Sequence, residues 1–114
     1  MEIVYKNNKL KKQCESLKEA KKDYGFDIAK KIKKDINFIE SAQDLSTVIN
    51  YLPFHFHDLK GDLSGKYSID VAGRRNPYRF IVQFDGYDKD MVFKNPSCIK
   101  IISIEKISDH YKKG

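Results

Sequence analysis

The period of the hydrophobic pattern changes once along this chain, from helical to extended, and no other feature constrains the fold as much. Leu10, Cys14, Leu17 and Ala20 recur at spacings of four and three on an otherwise lysine-rich surface. That stripe predicts a first helix running to Tyr24-Gly25, where glycine supplies the exit. Ile28, Ile32, Ile36 and Ile39 repeat in the same way, with Asp27 placed to cap a second helix. The two predict a helical hairpin. Asp44-Leu45-Ser46 then predicts one more short helical turn before Tyr51-Leu52-Pro53.

From Lys66 onward the period is two. Tyr67, Ile69 and Val71 share one face of a strand, with Lys66, Ser68 and Asp70 on the other. Tyr78, Phe80, Val82 and Phe84 repeat the pattern with Arg79 and Gln83 opposite, and Ala72 to Pro77 has the Gly, Asn and Pro of a hairpin connection. A second, extended hairpin loop from Asp85 to Pro96 leads to Cys98–Ile107, whose isoleucines fall on both parities and predict a central strand buried on two faces. Glu2 to Tyr5 alternates like a short edge strand joining the same sheet. The expected fold is therefore α+β, an N-terminal helical hairpin packed on a small antiparallel sheet, as one domain over residues 1–114.

At 114 residues, with 40% hydrophobic and 33% charged residues, the chain has the size and composition of one folded domain. No run of about 18 apolar residues is present and the first residues lack the order of a signal peptide, so no membrane partner and a cytoplasmic location are expected. Cys14 and Cys98 are the only cysteines and are read as buried thiols, not as a disulfide or zinc framework. The net charge of +6 draws the protein to polyanions. Residues 6 to 34 hold eleven lysines against four acids, the usual look of a solvated helical face, while all three arginines fall between Arg74 and Arg79. Arginine's planar fork suits phosphate in a way that lysine does not.

The run His57-Asp58-Leu59-Lys60-Gly61-Asp62-Leu63-Ser64-Gly65-Lys66-Tyr67-Ser68-Ile69 resembles the H-x-L-K-G-D-x-x-G-x-[WY]-S-I pattern of HigB-type (host-inhibition-of-growth) toxins of the RelE/ParE superfamily. The resemblance extends over residues 50 to 114, through the arginine that opens the next strand (Tyr78-Arg79-Phe80) to the terminal Asp109-His110-Tyr111. Two positions depart from the pattern: Asp58 stands where the family has proline, and the final histidine and tyrosine are exchanged. The resemblance implies a type II toxin that cleaves messenger RNA on the ribosome. It also implies a cognate helix-turn-helix antitoxin (HigA-like) holding the toxin inactive, the pair binding its operator DNA.

Cleaving RNA without a metal or cofactor takes a base for the 2′-hydroxyl proton, cations for the phosphate, and an acid for the 5′ leaving oxygen. Histidine is the side chain whose ordinary pKa lies near neutrality, so His57 and His110 are the candidates for acid or base work. Arg79, Arg74, Arg75 and Lys60 can hold the phosphate. Asp109 can orient His110 or Lys60, and Tyr111 can donate a proton or stack on a base. The catalytic set expected is His57, Arg79, Asp109, His110 and Tyr111, with Lys60, Arg74 and Arg75 binding RNA.

Each has a plainer alternative. His57 as a loop histidine would bond a backbone carbonyl, His110 would be a solvated terminal residue, Arg79 would pair with Asp70 across the hairpin, and Arg74 and Arg75 would be solvated turn residues. Gly61 and Gly65 are read as serving backbone geometry. His55 and His57 would share a strand face at chelating distance, but no third ligand has a recognisable spacing and no metal is expected. Two other functions stay open: a ParE-like poison of DNA gyrase, and a non-catalytic basic module that binds nucleic acid through its lysines.

Overall fold

The first helix starts at Asn7, whose Oδ1 accepts the Leu10 amide at 2.8 Å. A computed structural model describes residues 1–109. The lysine-rich segment expected as one helix is two, α1 (Asn8–Glu15) and α2 (Leu17–Tyr24). Ser16 makes the break: its own amide closes α1 on the Lys12 carbonyl, and its hydroxyl accepts the Glu19 amide to open α2. Gly25, at φ 83°, ends α2 and is also the residue from which α3 (Phe26–Ser41) departs, so Asp27 lies in the first turn of α3 and is not its cap. Ala29, Ile32, Ile36 and Ile39 are the buried stripe of α3. Asp44 caps the short α4 (Leu45–Asn50) through the Ser46 amide.

Five strands form one sheet in the order β1-β5-β4-β3-β2. They are β1 (Glu2–Tyr5), β2 (His57–Asp58), β3 (Tyr67–Asp70), β4 (Arg79–Gln83) and β5 (Ile101–Ser108). The β2–β3, β3–β4 and β4–β5 ladders are antiparallel. The β1–β5 ladder is parallel, so the sheet is mixed and not wholly antiparallel. The architecture is α+β. The expected loop from Asp85 to Pro96 contains a helix, α5 (Lys89–Lys94), started by Asp88 Oδ1 accepting the Met91 amide at 2.9 Å.

Tyr67, Ile69, Phe80, Val82, Ile102 and Ile104 project into the core with Ile32, Ile36 and Ile39. Phe54 is part of that core at 1% exposure, and Phe56 packs against Tyr67, Phe84 and Phe93. Cys14 is buried, whereas Cys98 is exposed, against expectation, because the turn Pro96–Cys98 lies at the surface ahead of β5. Among the described residues no helix is long and apolar enough to cross a membrane.

Candidate functional site

Sheet register decides which polar residues share a side. His57 stands opposite Ser68, Ser68 opposite Ile81, Asp70 opposite Arg79, and Arg79 opposite Ser108. Paired residues and their i±2 neighbours share a face, so His57, Ser68, Asp70, Arg79 and Ser108 lie together on the face opposite the apolar one. That face is also closed: Ser68, Asp70 and Arg79 are each no more than 1% exposed.

Arg79 is held from several directions. Its Nε lies 2.8 Å from Asp70 Oδ1, its Nη1 donates to the carbonyls of Asn76 and Tyr78, and its Nη2 donates to the Arg74 carbonyl at 3.3 Å. A buried guanidinium needs such partners to offset its desolvation. The arginine therefore pins the β3–β4 connection to the sheet, which is the ion-pair role weighed for it above. Despite the short Nε–Oδ1 approach, neither Asp70 oxygen receives an aligned hydrogen bond, so the attraction is coulombic contact more than directed bonding.

His57 Nδ1 lies 2.8 Å from the His55 carbonyl oxygen. In the neutral ring that contact requires the proton on Nδ1, which leaves the Nε2 lone pair to act as an acceptor. The plainer expectation, a histidine bonding a backbone carbonyl, thus holds, and the same bond sets the tautomer a general base needs. His55 occupies a left-handed conformation at φ 45°, with its ring centroid 4.7 Å from that of His57. Its pKa is lowered, first by desolvation and then by the charges of Arg74 and His57, with Asp70 opposing. His55, His57, Arg74, Asp70 and Arg79 therefore form one electrostatic neighbourhood.

The remaining expected residues are dispersed. Lys60 belongs to another cluster: with its side chain 83% exposed, it sits 3.8 Å from Asp58, whose carboxylate is also met by Lys89 at 3.0 Å. Asp58 and His57 are neighbours on β2 and so point to opposite faces. The Lys89 hydrogen bond holds the Asp58 carboxyl below its usual range. Lys60, Lys66 and Lys89 surround a cleft of about 390 Å³ with Tyr87. Gly61 and Gly65, at φ 65° and 90°, turn the chain around it. Arg74 and Arg75 are exposed in the β3–β4 turn. Asp109 is half-buried one residue beyond the Arg79–Ser108 pair, near Tyr24, whose pKa is raised first by burial and then by neighbouring charges, those of Asp23 and Asp109 among them; Tyr24 packs edge-on against Tyr78. His110 and Tyr111 lie outside the described residues.

Two carboxylates that sequence reasoning did not single out for chemistry are the most unusual groups here. Asp35 is pushed up to about 7 by burial, opposed by the Ala72 amide and by Lys34 and Lys31, and its Oδ2 is buried without a hydrogen-bond partner. Its signal was its position beside Ile36 at the margin of the α3 stripe. Asp70 was read only as a partner for Arg79. Among the described residues no group of three or more His, Cys, Asp or Glu could hold a metal ion. Compared with protein-family models and with curated proteins, the chain matches none.

Proposed function

We propose that this chain is an RNA-cleaving toxin of the HigB type within the RelE/ParE superfamily, cutting messenger RNA on the ribosome in the cytoplasm. The observation that carries the reading is the His57 ring, fixed by the His55 carbonyl with Nε2 as its acceptor, on the same sheet face as the Asp70–Arg79 pair. In the proposed reaction His57 takes the proton of the 2′-hydroxyl. The 2′-oxygen attacks the neighbouring phosphorus, the bond to the 5′-oxygen breaks, and a 2′,3′-cyclic phosphate remains. His110 or Tyr111 supplies the proton for the departing 5′-oxygen, with Asp109 as orienting partner. Arg74 and Arg75, exposed on the turn that Arg79 pins, take the phosphate charge. Arg79 acts in this scheme as a positioning residue. A helix-turn-helix antitoxin is the proposed inhibitor and co-repressor on operator DNA.

A second reading has an observation of its own. Lys60 and Lys89 meet at Asp58 on the side of β2 away from His57, and with Lys66 they line one cleft, as a basic module that binds nucleic acid without cutting it would require. Incubating the purified protein with translating ribosomes and mapping messenger 5′ ends separates the two. New ends confined to A-site codons support the toxin; messenger that is bound yet intact supports the module. Gyrase-linked DNA breaks in expressing cells, with intact messenger, would favour a ParE-like poison.

A further inference from the structure

A cleft of about 220 Å³ opens at the end of the sheet, between α3 and the turn Leu52–Phe54. It is smaller than the roughly 300–1,000 Å³ of a site for a drug-sized ligand, so it suits a single ring system. Three kinds of surface meet there. Asp35 Oδ2 and Asp70 Oδ2 are buried carboxylate oxygens that receive no hydrogen bond, Asp70 Oδ1 being the oxygen that meets Arg79. Tyr51 and Phe54 give an aromatic wall, packed edge to face at 4.8 Å. Lys31 and Lys34 are exposed at the rim.

Each surface restricts the ligand. Buried acceptors without donors carry an unrecovered desolvation cost, which a ligand with N–H groups would relieve. The rim ammonium groups oppose a cationic ligand and attract a phosphate. The aromatic wall favours a flat ring. A nucleotide whose base carries N–H donors meets all three requirements, and guanine alone of the common bases places two, N1–H and N2–H, side by side on one edge.

We propose that this cleft is a guanine-nucleotide site: the carboxylates of Asp35 and Asp70 accept N1–H and N2–H, Tyr51 and Phe54 flank the ring, and Lys31 and Lys34 meet the phosphate. The same chemistry arrives as a free mononucleotide or as a guanosine within an RNA strand. Binding is read without cleavage, so the site stands or falls independently of the ribonuclease reading.

The test is a titration of the whole chain at pH 8, where Asp35 is ionised, following the amide resonances of Ala72 and Gly73. The ligands are guanosine 5′-monophosphate, inosine 5′-monophosphate and an oligouridylate carrying one guanosine. The expected result is saturable shifts with the guanine ligand and binding about tenfold weaker for inosine, which lacks the N2 amino group. Asp35→Asn should weaken guanine binding by about tenfold as well. Saturation by the mononucleotide assigns a free nucleotide, and saturation by the oligonucleotide alone assigns RNA; both support the site. Equal affinity for guanine and inosine, no saturable shift with either guanine ligand, or wild-type binding by Asp35→Asn would overturn it.

Discussion

Asp70 and Arg79 stand directly opposite each other in the β3–β4 ladder and meet at 2.8 Å, their side chains 0% and 2% exposed. Removing one member of such a pair leaves the other charge buried and uncompensated. Arg79→Ala or Asp70→Ala should therefore cost about 3–5 kcal/mol in urea unfolding. Replacing both together, as in Asp70→Leu with Arg79→Met, should cost less than either single change. A single change that costs under about 1 kcal/mol would mean the pair contributes little to the fold.

Asp35 makes stability depend on pH. Burial lifts its carboxyl from 3.8 to about 7, so between those values the unfolded chain releases a proton that the folded chain keeps. Stability is then fully present below about pH 4 for this group and falls as pH rises toward 7. The loss is on the order of 2–4 kcal/mol. Asp35→Asn should raise the melting temperature at pH 8 and flatten its slope across that window. An unchanged slope in the variant would show that the carboxyl titrates near its ordinary value.

Gly65 has φ 90°, and a Cβ added there would meet no atom within 4 Å. The cost of Gly65→Ala is therefore one of backbone conformation alone, about 1–2 kcal/mol by chemical denaturation. Lys66→Ala, at the neighbouring position, serves as the control and loses only its ion pair with Glu105 at 3.5 Å, worth about 0–1 kcal/mol.

Period-two alternation made Tyr67, Ile69, Phe80 and Val82 legible as core residues, and the isoleucine spacing did the same for α3. The same rule placed Ser68 and Asp70 on the other face of β3 but carries no information on whether that face is closed. Here both sides of β3 are closed, so the pattern marks a buried polar network. Ser16 hid a helix break because one residue serves as the end of α1 and the cap of α2. The parallel pairing of β1 with β5 joins the two ends of the described chain, and no local signal carries strand direction. Of the site, His57 was found through its motif. Asp35 was missed because a lone aspartate among lysines on a helix reads as solvated.

The rate at which His57→Ala cuts ribosome-bound messenger, measured against the wild type with both proteins folded, tests the ribonuclease proposal most directly. Loss of the general base should lower cleavage by about a hundredfold to ten-thousandfold while ribosome binding is kept. Cleavage at the wild-type rate by His57→Ala would contradict the proposal that His57 is the base of the reaction.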